Sequence, residues 1–348
     1  MQTSDAGAPM RVTAVTCVKN EGPFLLEWVA YNRLIGVTHF LFYTNDCSDG
    51  TDALLDAMGD YGVTRLPNPA EGRNYQMEAL KHAARHPLVT GADWVWVADV
   101  DEFLNIHAGD HTLPALIEAC GDPQAVSVTF QFFANDGIET YEDRPVIEQF
   151  THTHNPDLWC AETAIEVKTL VRRDFPLHYY GAHRPFCRDR PRVAPPVWTD
   201  GSGRPVPPKF LKAANPRRMR KFPAAGARHH ATLNHYALRS LDSYIVKNDR
   251  GDVNREGRAF GDTYWRERND SAWEDQSILR HLPALHAALA KMKCGPLGAL
   301  HEASVAAHRA RRDALLTDPA FAKMHGQLKA LPPYPPGEPE LMTELGLA

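Results

Sequence analysis

Along the first 135 positions, apolar residues come in short runs rich in β-branched and aromatic side chains, separated by stretches with helical spacing. Val12 to Val18 is such a run and predicts a buried strand. Asn20-Glu21-Gly22-Pro23 then supplies a helix start with a proline suited to the first turn, and Leu25, Trp28, Val29 and Ile35 mark one side of the helix that follows. The alternation continues with a strand at Thr38 to Tyr43, a turn over Asn45-Asp46-Cys47-Ser48-Asp49-Gly50, and a helix from Thr51 to Gly59 or Gly62. A short strand at Val63 to Leu66, a helix over 73–86 and the run Trp94-Val95-Trp96-Val97-Ala98 complete it. Strands alternating with helices of this length predict βαβ units and a mostly parallel sheet covered on both faces.

The second half reads differently. Val126 to Phe133 and Lys168 to Arg172 predict strands, and 184–222 is a loop region with eight prolines. From about 240 the pattern turns helical, including Leu279 to Met292 and a stretch reaching about 330, before the tail Pro332-Pro333-Tyr334-Pro335-Pro336.

Composition narrows the functional classes. With 38 basic against 43 acidic residues in 348, the net charge of −5 argues against nonspecific nucleic-acid binding, which needs a positive surface. Cys17, Cys47, Cys120, Cys160, Cys187 and Cys294 are scattered without a C-x-x-C pair, as expected of reduced thiols in a reducing compartment. Residues 1–10 carry neither a basic leader nor an apolar core, and no run approaches the length of a membrane span. The expectation is a cytoplasmic protein that meets any membrane-bound substrate from the water side.

Asp99-Val100-Asp101-Glu102-Phe103 directly follows the run Trp94 to Ala98. In open α/β sheets the ligand crevice lies beyond the carboxyl ends of the strands, so Asp99 and Asp101, two residues apart, are placed to share a hard cation, or one of them to bind the cation and the other a sugar hydroxyl. Crowded acids at such an edge repel one another unless a cation neutralises them. Lys19-Asn20-Glu21 and Asn45 to Thr51 also follow inferred strands, so three polar clusters meet at one crevice, although Ser48, Asp49 and Thr51 equally suit helix capping. His152 and His154 read as surface loop.

The series Thr16 to Glu21, Leu26 to Asn32, Tyr43 to Thr51 and Trp96 to Phe103 resembles the family-2-like glycosyltransferases of the GT-A fold, and most of all the group related to family 92. The resemblance continues through Phe133 to Gly137, Val146 to Thr151, Lys168 to Arg172, Ala182 to Pro185, Asn234-His235-Tyr236, Glu267 to Asn269 and Glu274 to Ile278. It implies a Rossmann-like α/β fold, a nucleotide-sugar donor (a UDP- or GDP-sugar), and a divalent cation, Mn²⁺ or Mg²⁺. It further implies transfer of a hexosyl group to a saccharide or lipid-linked acceptor. By position, Asp99 and Asp101 resemble the D-x-D that binds cation and donor; Asn20, Glu21 and Asp46 the nucleotide pocket; and Arg73, Asn74 and Gln76 the neighbourhood of the diphosphate. His235 matches a later histidine that completes the metal site in many such enzymes, or else it is an orienting core histidine. Asp275, with Glu274 as the second choice, resembles the base of inverting relatives, though Ser271 to Asp275 also reads as a capped helix turn.

On this reading residues 1–10 form a disordered N-terminus, and 11–280 the transferase domain. The domain divides into a nucleotide-sugar half (11–135) and an acceptor half (136–280), and 281–348 is a helical extension with a Pro-rich tail. The 184–222 segment holds eleven basic residues against Asp189 and Asp200, and reads either as an anion-attracting acceptor loop or as a solvated insertion. Two other classes compete: a noncatalytic nucleotide- or carbohydrate-binding protein, and a metal-dependent aspartyl phosphotransferase. Phe103 speaks against the latter, since it stands where that chemistry wants a small hydroxyl or β-branched residue.

Overall fold

A computed structural model of the chain describes residues 9–72, 74–156, 158, 162–187, 195–207, 224–251, 260–334 and 338–346. Its centre is a nine-stranded sheet in the order β3 (Val63–Pro67), β2 (His39–Thr44), β1 (Val12–Val18), β4 (Trp94–Val97), β8 (Val167–Arg172), β6 (Ala125–Phe132), β12 (Ala231–His235), β5 (Glu102–Ile106), with β11 (Trp198–Asp200) also paired to β6. Seven strands run one way; only β8 and β5 oppose them. Every residue of β1, β4 and β6 is buried, as continuous apolar runs in a sheet covered on both faces require. The mostly parallel α/β sheet flanked by helices, with a helical C-terminal region, is the predicted architecture.

The first helix, α1 (Gly22–Leu34), is buried from Gly22 to Asn32, with Pro23 in its first turn. Trp28 Nε1 donates to the Glu102 carbonyl at 3.0 Å, and the Tyr31 hydroxyl to the Leu104 carbonyl at 2.9 Å, which fixes β5 against this helix. A Cβ on Gly22 would lie 1.7 Å from Ser304 Oγ, so only glycine admits α10 (Pro296–Leu316) so close. Leu285, Leu289 and Met292 of α9 (Leu282–Met292) and Leu297 and Val305 of α10 join the same core as β1, β2 and α1.

The structure differs from the sequence reading in several places. β5 and β12 were not anticipated: they are short, and polar Asn105, Thr232 and Asn234 interrupt their apolar pattern. The region 184–222 contains β10 (Pro185–Cys187) and β11, while nine of its eleven basic residues lie outside the described residues; Arg184 and Arg204 lie within them. Trp273–Glu274 forms a two-residue strand (β13) against β7 (His152–Thr153), so no helix turn starts at Ser271. His154 is not on the surface: it is 3% exposed, with Nδ1 2.8 Å from the Asn155 carbonyl. No helix among the described residues is long and apolar enough to cross a membrane.

Candidate active site

The sheet directions bring the chemistry to one edge. β1, β2, β4 and β12 end there, delivering the segments after Val18, Thr44 and Val97 together with His235, while β8 and β5 begin there with Lys168 and Glu102. The helix α7 (Leu241–Arg250) adds Lys247 and Arg250 one turn apart. An open cleft of about 170 Å³ results, lined by Glu21, Gln76, Asp99, Asp101, His235, Lys247 and Arg250, with Phe260 and Tyr264 on its wall.

Asp101 is 7% exposed, with Oδ2 2.7 Å from Lys247 Nζ and Oδ1 3.5 Å from His235 Nε2. Burial pushes its carboxyl up, but Lys247, His235 and Arg239 outweigh that and hold it well below the usual carboxylate range. Burial wins at Glu102, aided by Asp99 and Asp101 against Lys168, and raises that carboxyl well above its ordinary value. Burial lowers the His235 imidazole against the pull of Asp101, favouring the neutral form that ligates a cation. The ring sits edge-on to Phe130 and Phe132, with centroids 4.9 and 5.3 Å away.

Asp101, Glu102 and His235 each offer a ligand atom within 4.8 Å of the others, and all three are buried. Two carboxylates and an imidazole suit Mn²⁺ or Mg²⁺, so the residues present fit the cation. Asp101 and His235 thus come together as expected, with Glu102 as the third donor. Asp99, its side chain 39% exposed, lies beside this trio with Oδ2 2.8 Å from Lys168 Nζ and Oδ1 3.5 Å from Gln76 Nε2.

The other predicted residues separate by role. The Glu21 carboxylate is taken up by Arg239 at 2.8 Å and Arg250 at 2.5 Å, so it fixes two buried guanidinium groups, of which Arg250 lines the cleft. Asn20 adopts a left-handed conformation and its Oδ1 accepts from the Ser48 amide at 2.7 Å. Asp49 accepts from the amides of Gly22 at 2.9 Å and Thr51 at 3.0 Å, while the cap position of the helix Thr51–Asp56 is the left-handed Gly50, with no side-chain cap. Asp46 is exposed, with φ 44°. Asn74 precedes α3 (Tyr75–Ala83) with φ 57°, and Arg73 lies outside the described residues.

Asp275 lines a different cavity, of about 440 Å³, together with Trp273, Ser277, His107 and Thr232. Strand alternation puts Thr232 and His235 on opposite faces of β12, so the two openings flank that strand. Asp275 Oδ1 accepts from the Ser277 amide at 2.8 Å, and Glu274 is exposed with Gln276 donating to it at 2.6 Å.

Sequence reasoning assigned no role to Lys168, Lys247, Arg239 or Arg250. A signal existed for Lys168 alone: it is a lone charge inside the apolar run Val167 to Val171, and such a residue is rarely buried without a partner. Residues 13–174 match the family model for Glycosyltransferase family 92. That stretch, just under half of the chain, contains Asp46, Asp99, Asp101, Glu102 and Lys168 and stops before His235, Lys247 and Asp275. A glycosyltransferase family 92 protein of Oryza sativa subsp. japonica is 34% identical over 100 residues, covering 28% of this chain and 16% of its own. One of Ricinus communis is 29% identical over 106 residues, 29% of this chain and 18% of its own. The chain thus spans less than a fifth of the length of these relatives. The resemblance to glycosyltransferases read from the motifs is shown for the strand-rich first half. Among solved structures, glucosyl-3-phosphoglycerate synthase from Mycobacterium tuberculosis, in complex with Mn²⁺ and UDP, overlaps 49% of this chain and 59% of its own at 16% identity, with a TM-score of 0.29.

Proposed function

We propose that the protein is a glycosyltransferase that moves a hexosyl group from a UDP- or GDP-sugar to a hydroxyl of a saccharide or lipid-linked acceptor, with inversion and with Mn²⁺ or Mg²⁺ as cofactor. The observation that carries this reading is the buried trio Asp101, Glu102 and His235, set beside Lys247 and Arg250 at the carboxyl ends of the strands. Breaking the anomeric bond leaves extra charge on a nucleoside diphosphate, and a divalent cation, when bound, stabilises that charge as a Lewis acid. Asp101, Glu102 and His235 would hold the cation, while Asp99, Gln76 and Arg250 face the donor. Asn20 and Asp46 border the nucleotide, and Glu21 keeps Arg239 and Arg250 in place. A lipid-linked acceptor would be met in the cytoplasm, from the water side of the membrane.

The acceptor hydroxyl must lose its proton as it attacks, and Asp275 is the carboxylate we assign to that step; it lines the cavity on the other side of β12 from the donor cleft, so the assignment requires the acceptor bound there to reach the donor. What supports it is its setting in an open cavity beside Trp273, whose 44% exposed indole offers an apolar face to a sugar ring. Asp275→Asn should abolish glycosyl transfer, followed as release of nucleoside diphosphate in the presence of acceptor, with donor affinity unchanged. Transfer retained in this variant would move the base elsewhere.

A further inference from the structure

Among the described residues, the four carboxyl groups of Glu21, Asp99, Asp101 and Glu102 at the strand edge each lie against a basic side chain, with Asp99 and Glu102 sharing Lys168. Lys168 Nζ lies 2.8 Å from Asp99 and 3.3 Å from Glu102, Lys247 Nζ lies 2.7 Å from Asp101, and Glu21 is shared by Arg239 and Arg250. Four carboxyl groups thus face four basic side chains. An added divalent cation unbalances this cluster unless one ammonium leaves or an anion enters, because like charges in a water-poor site repel strongly.

The two lysines are not equally able to move. Lys168 sits in the middle of the sheet with a side chain 1% exposed, caught between two carboxylates. Lys247 projects from α7 into the cleft. One carboxylate and the Ala237 carbonyl, 2.8 Å away, hold its ammonium, and the rings of Phe260 and Tyr264 lie 5.7 and 5.6 Å from it. It occupies Asp101 Oδ2, the neighbour of the oxygen that faces His235. A cation held by Asp101, Glu102 and His235 and the Lys247 ammonium therefore compete for one carboxylate.

We propose that Lys247 is the resident counter-ion of this site: it neutralises Asp101 in the cation-free cleft and yields it when cation and nucleoside diphosphate arrive together, turning then to the diphosphate. The inference rests on the metal-dependent reading above. The cation alone has to displace an ammonium that finds no new partner. The diphosphate supplies one, so each ligand tightens the other, and by linkage the coupling is reciprocal. Lys247 acts on the cation through Asp101 and, once released, contacts the diphosphate directly.

The test is Mn²⁺ binding, read from the paramagnetic resonance signal of the free ion, for the full chain and for Lys247→Met, each with and without UDP. Wild type should bind Mn²⁺ alone weakly and about tenfold or more tighter with UDP. Lys247→Met should bind Mn²⁺ alone about tenfold tighter than wild type, with a smaller gain from UDP, and Lys247→Arg should keep the wild-type pattern. Circular dichroism confirms the fold, and Lys247→Gln serves in the same titration if the Met variant does not fold. Mn²⁺ binding that UDP tightens but the Met and Gln variants leave unchanged or weaken overturns the counter-ion role alone. No Mn²⁺ binding in any variant, with or without UDP, overturns the metal reading and this inference with it.

Discussion

Asp101 carries more of the site than any other single residue. It is buried, it pairs with Lys247, and its second oxygen faces His235. Replacing it by Asn leaves the ammonium against a neutral amide, and removing one partner of a buried pair costs roughly 3–5 kcal/mol. Asp101→Asn should therefore unfold at lower urea concentration in metal-free buffer, as well as lose cation-dependent donor binding. The folded carboxyl is depressed, so its stabilisation is present above the ordinary value of 3.8 and is lost as pH falls through the folded value. The variant should accordingly lose less stability than wild type when the urea titration is repeated at acid pH; equal acid sensitivity would contradict the pairing. The crowding of Asp99, Asp101 and Glu102 at the strand edge was legible because three acids follow a wholly apolar strand. Lys247 was not, because a lysine on an amphipathic helix looks the same whether it points to water or to a carboxylate 146 positions away.

At the scale of elements, the site depends on how α7 is started. Ser240 caps it, its hydroxyl accepting from the Ser243 amide at 3.2 Å, and the helix then presents Lys247 and Arg250 to the cleft. Ser240→Ala should cost about 1 kcal/mol in thermal or urea unfolding, as lost caps do. Because the cap lies two turns from Lys247, donor affinity should fall as well; unaltered affinity would show that tertiary packing alone sets the helix. The strand–helix alternation of the first half was readable because its buried strands are continuous apolar runs. β5 and β12 were not, since each is five residues long and turns Asn105, Thr232 and Asn234 into buried polar contacts that mimic loop composition. Those two strands set Glu102 opposite His235, so the juxtaposition of that acid and that histidine could not be read without them.

Across the whole molecule, the C-terminal helices belong to the core that positions the cleft. Leu285 is fully buried in the same cluster as Trp28 and Phe40, and Asp143 links Lys293 at 2.9 Å and His301 at 2.9 Å to the middle of the chain. Leu285→Ala should cost roughly 2–5 kcal/mol in a single cooperative transition. A change near zero, or a separate transition for the last helices, would mean that 281–348 folds apart from the rest. The net charge of −5 conceals a strand edge at which four carboxyl groups meet four basic side chains, and on the proposed account that balance favours a cation that arrives with an anion. The central claim is tested most directly by a thermal-unfolding panel of UDP- and GDP-sugars with and without Mn²⁺. At about one hundred times Kd, the cognate donor should stabilise the chain by about 2.7 kcal/mol only when Mn²⁺ is present, and not in Asp99→Ala/Asp101→Ala. No Mn²⁺-dependent shift with any donor, or an undiminished shift in the double variant, would contradict the account.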